Sequence, residues 1–88
     1  IEANIFPNPL RHSGKLHVSI DNYEQQQQEV LVVLINSMGQ ELYSKILVVD
    51  EQSNTVMAVD TKSRLSPGLY YITGSSDQRL FTKKLIVK

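Results

Sequence analysis

The chain has 88 residues, of which 41% are hydrophobic and 20% charged, the composition of a folded domain with one core and not of a disordered segment. Nine basic residues balance nine acidic ones, so no overall field draws in phosphate backbones or an anionic bilayer, and nucleic acid is not an expected partner. The absence of cysteine removes disulfides, thiolate nucleophiles and Cys-based zinc sites.

The longest apolar run, Val30 to Ile35, is far shorter than the roughly 20 residues a membrane-crossing helix needs, so the chain is expected not to span a membrane. Its opening, Ile1-Glu2-Ala3-Asn4, lacks the basic and apolar regions of a signal peptide. Residues 1–88 therefore read as a single domain cut from a longer protein.

No segment repeats apolar residues at i, i+3, i+4 and i+7 over three turns, whereas β-branched and aromatic residues recur in short blocks between turn residues. After the turn-rich Phe6-Pro7-Asn8-Pro9, the stretch Leu16 to Ile20 alternates and predicts a strand burying Leu16, Val18 and Ile20. Gln25 to Gln28 supplies neither a core residue nor a backbone preference and reads as a solvated loop or strand end. Val30 to Ile35 is apolar at every position, which predicts a central strand covered on both faces. Asn36-Ser37-Met38-Gly39 predicts a hairpin loop, with Gly39 in the left-handed conformation. The chain then returns through Glu41 to Val49.

Asp50 to Asn54 is a polar break. A short strand from Thr55 to Val59 and an irregular crossing from Asp60 to Ser66 follow it. Ser66-Pro67-Gly68 is a tight-turn signal, because proline presets φ and glycine accepts positive φ after it. Leu69 to Gly74 and Leu80 to Val87, joined through Ser75 to Gln78, bring the total to about seven strands at the spacing of a β-sandwich. The expected fold is all-β, an immunoglobulin-like antiparallel sandwich. Tyr70 supports it, since such sandwiches place a tyrosine near the start of the penultimate strand with its hydroxyl bonded to nearby backbone.

Candidate chemistry is thin. His12 and His17 do not match a zinc spacing, no Gly-x-Ser-x-Gly elbow is present, and Asp50, Glu51, Asn54 and Asp60 lack the fixed spacing of a calcium loop. The four tyrosines are too scattered to form a base-stacking platform and read as core or rim residues. No catalytic residue, metal or cofactor is expected. What stands out is the finish, Phe81 to Lys88, a terminal edge strand whose backbone row and alternate side chains suit recognition by strand addition or self-pairing. Phe81, Lys83, Leu85 and Val87 should share one face, and Thr82, Lys84 and Ile86 the other.

Together, Phe6-Pro7-Asn8-Pro9, Asn36-Ser37-Met38-Gly39, Leu65-Ser66-Pro67-Gly68-Leu69-Tyr70 and Lys83-Lys84-Leu85-Ile86-Val87 resemble the type A C-terminal sorting domain of type IX secretion cargo. The match covers nearly the whole chain. Each motif alone is weak, but their order and the Lys-rich ending are specific. Gln40 departs from the lysine or arginine the family often has there, and Gln25 to Gln28 resembles an extended early loop.

The resemblance implies an address label of a larger secreted protein from Bacteroidetes-type bacteria, not an enzyme. Cargo domains N-terminal to it would enter the periplasm, pass the outer membrane through the type IX machinery, and reach the cell surface or medium. A sortase-like cysteine protease would then cleave at or near the linker before Ile1. Lys83, Lys84, Ile86 and Val87 match the family's terminal Lys-rich strand, and the last strand, Lys83, Lys84, Leu85, Ile86, Val87 and Lys88, is expected to be the part that is read. The other family-motif residues, Pro7, Asn8, Pro9, Gly39, Pro67, Gly68 and Tyr70, are expected to be mainly structural. The alternative is an accessory immunoglobulin-like module that holds carbohydrate or a neighbouring domain, which an exposed aromatic platform would mark.

Overall fold

A computed structural model describes residues 1–11, 14–59 and 65–88. Seven strands follow in order: β1 (Glu2–Phe6), β2 (Leu16–Asn22), β3 (Gln28–Asn36), β4 (Glu41–Val49), β5 (Ser53–Val59), β6 (Gly68–Ser76) and β7 (Gln78–Val87). They form two antiparallel sheets, a three-stranded one ordered β1-β2-β5 and a four-stranded one ordered β4-β3-β6-β7. The result is the all-β, immunoglobulin-like sandwich expected from the sequence.

Period-two patterning explains why the sheets stack. Leu16, Val18 and Ile20 of β2 are buried as expected, and they meet Val30, Val32 and Leu34 of β3, Ile72 of β6 and Leu85 of β7. Each such side chain contributes about 1.5–3 kcal/mol by leaving water. Six strands lie where the turn chemistry put them. β1 was not anticipated, because Glu2 and Asn4 alternate with only Ala3 and Ile5 before the proline-rich turn, too short a pattern to show in sequence.

The expectation for Val30 to Ile35 needs correction. Val30, Val32 and Leu34 are fully buried, but Leu31 is exposed and Val33 and Ile35 are only half-buried. A sandwich has two layers, so even its central strand has one covered face. The alternate residues of β3 lie on the outside of the four-stranded sheet.

Two polar side chains organise the loops at the sandwich ends. Asn22 is the buried polar residue among the described ones. Its Nδ2 donates to the carbonyls of Gln26 at 3.0 Å and Asp50 at 3.1 Å, with a longer contact to that of Val49 at 3.4 Å. Its Oδ1 accepts from the Glu24 amide at 3.0 Å. The glutamine loop is thereby pinned to the turn after β4, although nearly all of it is solvated. At the opposite hairpin, Asn36 Oδ1 accepts from the Met38 and Gln40 amides, and Gly39 adopts φ +82°, the left-handed conformation expected. Gln40 bonds Asn36 Nδ2 through its own Oε1 at 3.1 Å, so this departure from the family pattern has a local partner. His12, Asp60 and most of the crossing to Ser66 lie outside the described residues.

Replacing Asn22 by Leu removes its carboxamide from the buried Val49 carbonyl and the part-buried Gln26 carbonyl and frees the Glu24 amide, while the Asp50 carbonyl keeps the Ser53 hydroxyl. The expected loss is about 2–3 kcal/mol, read as a lower urea midpoint with an unchanged m-value.

Candidate recognition surface at the terminal strand

β7 is an edge of the four-stranded sheet, paired on one side with β6 through a register that sets Leu85 opposite Tyr70, Lys84 opposite Tyr71 and Ile86 opposite Leu69. Its side chains divide as the alternation predicts. Phe81, Leu85 and Val87 are buried against the core, with Lys83 half-buried between them, while Thr82, Lys84 and Ile86 stand exposed on the outer face. Lys88 follows the strand and is exposed.

The other side of β7 is not an open row of donors and acceptors. Asn8 Nδ2 donates to the Lys84 carbonyl at 2.8 Å, and Asn8 Oδ1 accepts from the Ile86 amide at 3.1 Å. Two residues on, the Leu10 amide donates to the Ile86 carbonyl at 2.7 Å and the Leu10 carbonyl accepts from the Lys88 amide at 2.8 Å. Leu10 is buried and forms a parallel bridge with Val87. Pro7 and Pro9 flank this contact, each after a cis peptide bond, and neither offers an N–H that would go unpaired. The early Pro-Asn-Pro motif thus lies directly on the terminal motif.

The third motif packs against the same strand from its paired side. Gly68, at φ +156°, starts β6 after Pro67 in a conformation that side chains rarely adopt. Tyr70 is buried and its hydroxyl donates to the Ser66 carbonyl at 2.6 Å, the backbone bond expected of a tyrosine at this corner. One further contact was not anticipated. Gly74 faces Phe81 across the bulge between β6 and β7, and a Cβ at Gly74 would fall inside the Phe81 ring. Sequence shows only a glycine in a strand, a signal for close approach without a named partner.

The outside of the three-stranded sheet carries a mixture of aromatic, polar and charged side chains. On the outside of the three-stranded sheet, Phe6 stacks on His17 at 5.4 Å, and Glu2, Asp21 and Asn54 form one cross-strand row. Tyr23 extends beyond that row and is exposed, so it is neither core nor rim. The Asp21 carboxylate, and after it that of Glu2, holds the Tyr23 phenol above its ordinary pKa of 10. Among the described residues no three of His, Asp and Glu converge as metal ligands, and no helix is long and apolar enough to cross a membrane.

A sandwich whose first and third motifs brace its last strand from two sides is a module organised around that strand. Comparison by sequence identifies the class: the profile of the secretion system C-terminal sorting domain matches residues 4–88. The chain belongs to that family, the sorting domains of type IX secretion, and so carries a signal that directs export toward the cell surface or extracellular space through the type IX machinery. The family is not a catalytic one. No curated protein and no solved structure gives a significant match.

Asn8→Ala removes both carboxamide bonds, with an expected loss of about 1 kcal/mol and faster hydrogen exchange at the Ile86 amide. Unchanged exchange there would show that the Leu10 contacts alone hold the segment. Asp21→Asn removes the nearest anion from Tyr23, and since anions disfavour phenolate, spectrophotometric titration should find the Tyr23 phenol ionising at lower pH than in the parent chain.

Proposed function

We propose that the type IX machinery reads the side chains of the terminal strand, Lys83 to Lys88, and not its free backbone edge. The observation that carries this reading is the occupation of that edge by Asn8 and Leu10. Strand addition needs unpaired donors and acceptors in a row, and from the Lys84 carbonyl to the Lys88 amide they are taken. The terminal strand therefore presents Lys84, Ile86 and Lys88 outward, with Lys83 at the rim of the sandwich. Leu85 and Val87 act through burial, setting the register of the others. Pro7, Asn8, Pro9, Pro67, Gly68 and Tyr70 hold the strand in place, and Gly39 shapes the distant β3–β4 hairpin.

In this reading residues 1–88 are a label at the end of a larger secreted protein. The cargo N-terminal to it crosses the periplasm, passes the outer membrane and is released when a sortase-like cysteine protease cuts near Ile1. Recognition of a folded label suits cargo of any activity, because nothing in the cargo has to be read. Self-pairing through β7 is disfavoured by the same occupied edge.

The test is export of a fluorescent reporter carrying an N-terminal signal peptide and this chain at its C-terminus. The expected outcome is reporter outside type IX-competent cells and in the periplasm of cells lacking the translocon. Changing Lys83 and Lys84 together to Ala should lower export several-fold while leaving the thermal midpoint within a few degrees, because Lys84 is exposed and Lys83 is only half-buried at the rim. Export at the parent level would overturn the role given to the lysines. Periplasmic retention in both strains would overturn the sorting role, and the accessory binding module would take its place.

A further inference from the structure

The outer face of the four-stranded sheet is apolar where solvent should favour polar residues. Ile46 (63%), Val48 (47%), Ile86 (42%) and Leu31 (39%) are exposed there, and the half-buried Val33, Ile35, Leu69 and Tyr71 fill the space between them. Register makes this one continuous surface. Ile46 lies opposite Leu31, Ile35 opposite Tyr71, Tyr71 opposite Lys84, and Leu69 opposite Ile86. One end holds a depression of about 200 Å³ between Leu31 and Ile46, edged by Glu29 and Asp77. At the other side Lys84 adds positive charge. A contiguous apolar patch of this kind marks an interaction site.

We infer that this face is the docking surface for the export machinery, and that its partner presents an apolar protein patch with an acidic group placed to meet Lys84. The inference rests on the sorting reading and extends it from one strand to four. Three observations choose this occupant. Lys84 and Ile86 of the terminal motif are themselves part of the face, so it is continuous with the strand proposed to be read. The first strand, β1, belongs to the other sheet, so this face is built without the N-terminal strand. Four strands about 4.8 Å apart and about seven residues of about 3.3 Å each give a footprint on the order of 400 Å². That is well below the roughly 800 Å² per partner of a standard stable complex. A permanent dimer of this chain needs more area, whereas a carrier that must release its cargo needs an interface of this smaller size.

The experiment uses the same reporter fusion, with Leu31, Ile46 and Val48 each changed to Thr and with Val56→Thr on the outside of the other sheet as control. Threonine keeps the strand preference and removes the apolar surface. Export of the triple variant should fall by about tenfold, the consequence of losing ~1.4 kcal/mol of binding, with export of the control unchanged. Ile46→Glu, at the most exposed of the three positions, should show the same loss and serves if the triple variant does not fold. Parent-level export of a folded face variant, with the unaltered chain still exported, would overturn the docking surface and leave the sorting role standing. Failure of the unaltered chain to be exported would overturn the sorting role itself. A chain that sediments as a stable dimer and becomes monomeric in the triple variant would show that a second copy covers the face, which also overturns the inference.

Discussion

Everything distinctive about this sandwich depends on how the outer edge of β7 is closed. A strand edge presents donors and acceptors that must find partners or be guarded, and here a side chain does what a neighbouring strand would do. The Asn8 carboxamide has one donor group and one acceptor at the spacing of a peptide, and it bonds both the Lys84 carbonyl and the Ile86 amide. Leu10 then continues with real backbone. Residues nearly eighty positions apart in sequence are joined, so the start of the domain and its last strand are held together directly.

The edges of the four-stranded sheet share a second device. Lys83 stands in β7 opposite Ile72, and Lys45 stands in β4 opposite Val32. Both positions belong to the inward-facing alternation; Lys83 is half-buried, its stem able to cover apolar surface while its ammonium reaches water, and Lys45 is exposed. An inward-pointing charge at an edge penalises any further strand that would bury it. Lys83 and Lys84 are adjacent in sequence and opposite in role. One guards the edge, and the other charges the outer face beside Tyr71.

The sequence made the strands legible because turn chemistry and alternation agree at most positions. Ser66-Pro67-Gly68, Asn36 to Gly39 and the alternation of Leu16 to Ile20 each specify one local geometry. It could not show the pairing of Asn8 with Lys84, since hydrogen bonds over that separation leave no periodic trace. Nor could it show the Gly74–Phe81 contact, in which a missing Cβ matters only because a ring from another strand occupies its place. The run Val30 to Ile35 misled for a different reason. Uninterrupted apolar residues normally signal burial on both sides, and in a two-layer sandwich the outward half of the run has no layer to meet.

That outward half explains how a small domain can combine a strong fold with a weak, specific partnership. The inner face of β3 is fully buried and sets stability, while the outer face contributes little to folding and is free to be chosen for contact. An apolar surface held flat on a rigid sheet loses little conformational entropy on binding, because its side chains are already ordered by their cross-strand neighbours. The cost of this arrangement is a tendency to stick to itself. Glu29 and Asp77 at one end, Lys84 at the other, and the guarded edges of β4 and β7 limit that tendency to geometries that match the charges. In the proposed reading, the contacts of Asn8 and Leu10 on β7 and the pattern that exposes Leu31 and Ile46 act together: one occupies the backbone edge, and the other offers side chains in its place.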